Sequence, residues 1–243
     1  MSTLTSALKT ETTKQILRKT GIRPGPSLRQ RKTPHYRMPS LEAAGGYIVL
    51  DKYRGPEIPK SEWEDLTFTT YATDPTTFLA PITSANGEIE LKGFWEYGKY
   101  DLDGVWTDNA KKCPTLVNWV ESMGVRFGRV QLLRMNANTL RECRWGLHLD
   151  DNNRGNPENN GWVVRIWLEL TDDPSSSLVV RPTEFDRKNE VQIKLPKFQQ
   201  VVVDSEALYH GGYHTGAETR YAVIVSVESG PDLERWIESQ RPK

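Results

Sequence analysis

One of the four histidines in this chain lies two residues before an aspartate, in the order His148-Leu149-Asp150. Side chains two residues apart on an extended strand point to the same face, so this imidazole and this carboxylate would lie side by side. A second imidazole from a distant strand would complete a set of two nitrogen ligands and one oxygen ligand. Such a set leaves three coordination positions open, which iron(II) needs if it is to bind O₂ and a cosubstrate together.

His210 is the favoured third ligand. It ends the apolar segment 201–209, late in the strand-rich half of the chain, and it precedes Gly211-Gly212, which we interpret as a turn. His214, four residues further on, is the alternative ligand and is otherwise an exposed loop histidine. His35 lies near the N-terminus, and we assign it no role.

An arginine ten residues after His210 opens the last predicted strand, residues 220–228. Alternation places Arg220, Ala222, Ile224 and Ser226 on one face and an apolar row on the other. The first face begins with a polar residue and otherwise carries mostly small side chains, as the wall of a cosubstrate pocket would. Because a guanidinium can hold a carboxylate through two hydrogen bonds, Arg220 is a natural anchor for an acidic cosubstrate, and Ser226 joins it as a candidate binding residue.

Arg165 is a further candidate on the predicted strand 162–170, where it shares a face with Trp167 and Glu169. We expect this face to turn toward the mouth of a barrel. Arg165 could then bind a substrate carboxylate or help to hold the cosubstrate. The alternative is an ion pair between Arg165 and Glu169 at the rim.

The elements that must position these residues are short strands. Seven runs rich in Val, Ile, Leu and Trp are separated by turn residues, with no helical pattern between them, and they span residues 125–135, 145–150, 162–170, 177–181, 191–195, 199–204 and 220–228. This pattern predicts a mainly β double-stranded β-helix, or jelly roll. We predict flanking helices over residues 114–123 and 231–240, and loops and short strands over residues 41–110 that cover one mouth of the core.

The amino-acid composition restricts the class of protein to which the chain can belong. The 243 residues are 37% hydrophobic and 26% charged and contain no apolar run of membrane-spanning length, so we expect a protein with no membrane association. Two cysteines and the absence of an apolar leader favour a reducing, cytoplasmic location. Residues 1–40 carry nine Lys and Arg against one acid, so we divide the chain into a basic N-terminal arm, 1–40, and an oxygenase domain, 41–243.

Two motifs together resemble the Fe(II)/2-oxoglutarate-dependent dioxygenase superfamily: His148-x-Asp150, and the run from His210-Gly-Gly-Tyr-His to Arg220-Tyr. Residues 129–170 resemble its aspartyl/asparaginyl β-hydroxylase-like branch, which includes free-amino-acid hydroxylases. The resemblance covers about residues 125–228. It implies that His148, Asp150 and His210 bind Fe(II), and that Arg220 binds the distal carboxylate of 2-oxoglutarate.

The branch's Arg-x-His-x-Pro-Leu strand reads Arg165-Ile-Trp167-Leu-Glu169-Leu here, so the resemblance does not carry over a substrate. The function that we predict is hydroxylation of a C–H bond in a small amino-acid-type or peptidyl substrate, with O₂ as oxidant. Three alternatives stay open: a cupin-like metal enzyme without 2-oxoglutarate, a nucleic-acid dealkylase aided by the basic arm, and a non-catalytic jelly-roll binding module. The body of the chain outside the arm is acidic, which disfavours a nucleic-acid partner.

Overall fold

Two antiparallel sheets pack face to face in the computed structural model, which describes residues 37–71, 74–157 and 159–241. The larger sheet has the strand order β1-β10-β7-β12-β6-β3-β2 and the smaller has the order β11-β8-β9. Within these residues the strands are β1 Tyr47–Val49, β2 Thr69–Tyr71, β3 Asp74–Pro81, β4 Thr83–Ser84, β5 Val105–Trp106, β6 Phe127–Met135, β7 Val163–Glu169, β8 Ser177–Arg181, β9 Val191–Lys194, β10 Gln200–Val203, β11 Tyr209–Tyr213 and β12 Arg220–Glu228. This order, with both sheets antiparallel, confirms the predicted jelly roll.

Five α-helices flank the sheets in the described ranges: α1 Pro39–Ala43, α2 Ser61–Glu64, α3 Pro114–Ser122, α4 Leu140–Gly146 and α5 Pro231–Ser239. The predicted helices at 114–123 and 231–240 are therefore confirmed to within one residue. None of the helices in the described part of the chain is long and apolar enough to cross a membrane.

Alternation along β12 divides the core into two layers. Val223, Val225 and Val227 pack with α3 and α5 on the outer face of the large sheet. Ala222 and Ile224 pack on the inner face, against side chains of the small sheet. The predicted separation of the two faces of β12 is thus correct, and the inner layer is the one that meets the candidate ligands.

Two local predictions are wrong. Residues 145–150 do not form a strand, because Thr139 and Glu142 form a capping box that starts helix α4, and only a single β-bridge at His148 follows it. Gly211-Gly212 is not a turn, since both glycines lie within β11, paired with β8. Gly212 packs closely against Met135, since a Cβ on Gly212 would lie 2.8 Å from the Met135 sulfur and would make that side chain shift.

Residues 41–110 were predicted to form loops and short strands, and one of their strands is longer than expected: β3, of eight residues, pairs with β6 and extends the large sheet. The chain bends at Asn86-Gly87, where Gly87 lies in the left-handed region. The basic arm lies outside the described residues as far as residue 36. Of its last residues, Met38 is buried in the core and Arg37 stacks over the Trp162 ring at 4.3 Å.

Candidate metal centre

His148, Asp150 and His210 lie together at one end of the small sheet, with one ligand atom of each within 4.8 Å of the others. His148 Nε2 is 3.6 Å from Asp150 Oδ1, and His210 Nε2 is 3.9 Å from Asp150 Oδ2. The two imidazole rings are 4.6 Å apart. The three residues singled out from sequence spacing are therefore brought to one point.

A pair of backbone hydrogen bonds sets the two histidines side by side. The amide of His148 donates to the carbonyl of His210 at 3.2 Å, and the amide of His210 donates back at 2.9 Å. This is a single rung of an antiparallel ladder, so the parity argument for residues 148 and 150 holds although no regular strand forms there.

The imidazoles are oriented by main-chain carbonyls. His148 Nδ1 lies 3.0 Å from the carbonyl oxygen of Gly146, and His210 Nδ1 lies 3.2 Å from that of Leu208. Because a carbonyl oxygen can only accept, each Nδ1 carries the proton and each Nε2 presents a lone pair. Metal-binding histidines are commonly oriented in this way.

Burial keeps His210 neutral. Burial lowers the pKa of His210 to about 4, although the nearby carboxylate of Asp150 acts in the opposite direction. At neutral pH this imidazole is therefore unprotonated, which is the form that binds a metal ion.

Asp150 is held by a buried arginine. Arg165 Nε donates to Asp150 Oδ2 at 3.1 Å, while its two terminal nitrogens donate to Ser226 Oγ and Asn152 Oδ1, each at 2.7 Å. Burial opposes ionisation of Asp150, but the charge of Arg165, helped by a hydrogen bond with Ser205, outweighs it and holds the pKa of Asp150 well below its usual range. The third ligand is thus an anion with a fixed orientation.

Arg165 and Ser226 were predicted to bind the cosubstrate, and their side chains are engaged with each other across the large sheet. They face each other in the register of β7 and β12. Asp101, on a loop before β6, accepts from Ser226 Oγ at 3.3 Å and from Arg129 at 2.8 Å. Asp101 was not predicted as a site residue, because nothing in its local pattern links residue 101 to the ligands.

An open cavity of about 350 Å³ adjoins Asp150. Its walls carry charges of both signs next to one indole, and they include Trp95, Glu96, Asp101, Arg129, Asp151, Asn152 and Arg165. Residues 91–101, which include a short 3-10 helix at Phe94–Tyr97, supply one wall, as predicted for the region that covers a mouth of the core. Asn152 could have been predicted from the sequence as a residue of this site, because it lies two residues after Asp150.

Arg220 lies deep in the inner layer, fully buried, and its partner is a carboxylate of the protein itself. Its Nε and Nη2 both donate to Glu169 Oε2, at 3.0 and 2.9 Å, and Nη1 donates to the carbonyl oxygens of Ser177 and Tyr213. Glu169 is also fully buried. The Arg165–Glu169 ion pair considered as an alternative does not form, because Glu169 pairs with Arg220 and Arg165 with Asp150.

His214, the alternative ligand, is not an exposed loop residue. It is completely buried, with Nε2 lying 2.6 Å from the Glu218 carbonyl oxygen and Nδ1 lying 3.2 Å from Ser176 Oγ. It takes no part in the cluster of ligand atoms. No residue pattern around His214 indicates this burial, because His214 lies in a glycine-rich segment.

The donor set fits a divalent transition metal. Ligand atoms about 2.1 Å from a common ion at right angles are roughly 3 Å apart, so these three atoms need to close by less than about 1 Å each. Two imidazoles and one carboxylate with open positions are typical of non-haem iron(II) sites.

No family model matches the chain, and no curated protein matches it. Among solved structures it resembles a 2OG-Fe(II) oxygenase family oxidoreductase from Burkholderia pseudomallei, with a TM-score of 0.47, 13% identity, and coverage of 80% of this chain and 93% of the other. It also resembles a prolyl hydroxylase from Trichoplax adhaerens in complex with a hypoxia inducible factor peptide fragment, with a TM-score of 0.45, 12% identity, and coverage of 81% and 89%. HygX from Streptomyces hygroscopicus, with nickel and 2-oxoglutarate bound, matches with a TM-score of 0.39, 12% identity, and coverage of 81% and 89%. At these TM-scores and sequence identities, a function has to be inferred from the side chains of this chain itself.

Proposed function

We propose that the protein is a non-haem iron(II), 2-oxoglutarate-dependent oxygenase that hydroxylates a C–H bond of a small amino-acid-type or peptidyl substrate. The observation that carries the proposal is the cluster of His148, Asp150 and His210 at one end of a jelly roll, with both Nε2 atoms and the carboxylate converging. We include in this proposal the resemblance of residues 129–170 to the aspartyl/asparaginyl β-hydroxylase-like branch.

Each part of the site has a role in this proposal. His148, Asp150 and His210 hold the iron, and Arg165 positions Asp150. Iron and 2-oxoglutarate together supply the O₂ activation that amino-acid side chains cannot. Arg220, the buried cation of the inner layer, binds the distal carboxylate of 2-oxoglutarate, and the cavity beside Asp150 binds the substrate.

The cavity supports a small charged substrate. Its volume, about 350 Å³, lies at the lower end of the range for small-molecule sites. Glu96 and Asp151 on its walls can meet an ammonium group. Arg129 is available for a carboxylate, although it already donates to Asp101 at 2.8 Å. Charge pairing at both ends of a zwitterion would fix the target carbon relative to the metal.

The first test is spectroscopic and needs no substrate. We expect anaerobic Fe(II) followed by 2-oxoglutarate to give the visible charge-transfer band of a chelated 2-oxo acid. Asp150→Ala should abolish metal binding and the band, whereas His214→Ala should keep both, because His214 contacts no ligand atom. No band at saturating Fe(II) and 2-oxoglutarate would refute the cosubstrate and leave the cupin-like and binding-module alternatives.

The second test concerns the substrate. The iron-loaded protein is incubated with O₂, 2-oxoglutarate and, separately, the twenty amino acids, short peptides and a single-stranded oligonucleotide. We expect succinate and a product heavier by about 16 Da, one oxygen atom, with an amino acid or peptide. Oxidation of the oligonucleotide alone would refute the substrate class and favour the dealkylase.

A further inference from the structure

The guanidinium of Arg220 is already neutralised before any ligand arrives. Arg220 and Glu169 are both fully buried, and two donors of the arginine converge on one oxygen, Glu169 Oε2. The remaining contacts of Arg220 are backbone carbonyl oxygens and the sulfur of Met135. This part of the inner layer therefore has no net charge to offer a carboxylate.

A nearby donor lacks a partner. Trp167 is about nine-tenths buried, and its indole Nε1–H makes no hydrogen bond within the described part of the chain. Leaving such a donor unpaired costs free energy comparable to a lost hydrogen bond, so the atom points to a ligand that accepts. The Arg220 guanidinium carbon lies 6.0 Å from the Trp167 ring.

Three residues of β7 link the two ends of the inner layer. Arg165, Trp167 and Glu169 share one face; Arg165 holds the ligand Asp150, and Glu169 holds Arg220. Trp167 lies between them, opposite Ile224 of β12. A molecule that reaches from the three candidate metal ligands to Arg220 must therefore pass Trp167.

Building on the proposed function, we propose that Glu169 and Trp167 bind the distal carboxylate of the cosubstrate together with Arg220, and that each cosubstrate molecule binds with the uptake of one proton. Two carboxylates that share one guanidinium in a buried site cannot both stay ionised without an unbalanced charge. One proton taken from solvent lies between Glu169 and the distal carboxylate, so the pair carries a single negative charge against Arg220. The Trp167 N–H donates to the same carboxylate.

The electrostatics of the empty pair favour this uptake. Burial raises the pKa of Glu169, and the charge of Arg220 opposes this only in part. Among the charged groups around Glu169, Arg220 faces it from β12, while Asp173, on the loop after β7, also raises its pKa. None of the three metal ligands contacts Glu169, so this titration is separate from the metal centre.

Proton uptake is measured directly by calorimetry. The Mn(II)-loaded protein is titrated with 2-oxoglutarate in buffers of different ionisation enthalpy, from pH 6 to 9. We expect an uptake near one proton at high pH, and an affinity that falls about tenfold per pH unit above the pKa of Glu169. 2-Oxopentanoate, which lacks the distal carboxylate, should bind without proton uptake, and this comparison uses the wild-type protein alone.

Two variants test the individual residues. Glu169→Gln preserves the shape of the side chain and donates without titrating, so 2-oxoglutarate should bind with uptake near zero and an affinity independent of pH. Trp167→Phe keeps an aromatic, although smaller, ring and removes the donor, and it should weaken 2-oxoglutarate binding roughly tenfold or more while 2-oxopentanoate binding changes little.

The outcomes separate this inference from the proposed function. If 2-oxoglutarate binds the wild type without proton uptake, or if Glu169→Gln retains its pH dependence, the role of Glu169 is refuted while the oxygenase proposal stands. An unchanged affinity in Trp167→Phe refutes the role of Trp167. If neither 2-oxo acid binds the Mn(II)-loaded protein, the proposed function is refuted and this inference with it.

Discussion

Replacing Arg165 by methionine should weaken metal binding although residue 165 is not a ligand. Methionine keeps the unbranched apolar stem and removes the guanidinium that donates to Asp150 at 3.1 Å. Asp150 is then held less firmly, because only its hydrogen bond with the Ser205 side chain and a weak one from Asn152 Nδ2, at 3.3 Å, are left among the described residues. Asn152 also loses its own bond to Arg165. The ligand set would no longer be held ready for the ion.

The size of the effect follows from the kind of contact. Removing a group that orients a metal ligand commonly lowers affinity 10- to 100-fold, which corresponds to about 1.4–2.7 kcal/mol. Arg165 and Asp101 are both well buried, so the metal-free variant should also lose about 3–5 kcal/mol in its free energy of unfolding.

Arg129→Met is the matched control. It removes the same charge from the same cavity wall and also breaks an ion pair with Asp101, but Arg129 does not contact Asp150. Both variants therefore lose the long-range electrostatic effect of one positive charge. Mn(II) titration followed by electron paramagnetic resonance would give both affinities, with circular dichroism to show that the variants fold. Equal Mn(II) affinity in the two variants, or tighter binding by Arg165→Met, would refute the positioning role.

Three other predictions follow from the same geometry. His210→Ala should lose Mn(II) binding, whereas His214→Ala should keep it and lose about 1–3 kcal/mol in its free energy of unfolding, measured by urea denaturation; the reverse pattern would overturn the ligand assignment. Cys113 and Cys143 are buried with the pKa of each thiol raised to about 12, so a thiol reagent at pH 8 should modify neither until the protein unfolds. Thr139→Ala should cost about 1 kcal/mol of stability through loss of the helix cap, and an unchanged unfolding midpoint would argue against it.

The alternation of side chains along the strands gave the most accurate predictions. Strands β6, β7 and β12 are seven to nine residues long and rich in branched side chains, and the faces of β7 and β12 were assigned correctly from alternation alone. Strand β11 was missed because two adjacent glycines give Tyr-His-Gly-Gly-Tyr little strand propensity, and only the three-dimensional structure shows its pairing with β8.

The partners of the charged residues could not be obtained from one sequence. Glu169 was considered as an alternative partner of Arg165 because both lie on one face of β7, yet Arg220 reaches it from the neighbouring strand. That pairing depends on the register of β7 against β12, in which Glu169 lies opposite Ala222. Register is set by the whole sheet, so the triad could be predicted from spacing while the residues that support it could not.

Helix α4 does more than lead the chain into His148. One edge of β11 is paired with β8, and the other is met by the single bridge at His148 and by α4, where Leu147 and Cys143 approach Gly211. Asn138, just before the helix, donates to the Gly212 carbonyl at 2.9 Å and accepts from the His214 amide at 2.9 Å. Backbone groups at a bare strand edge recruit strands from other molecules. The segment that delivers the first metal ligand therefore also guards the small sheet against edge-to-edge aggregation.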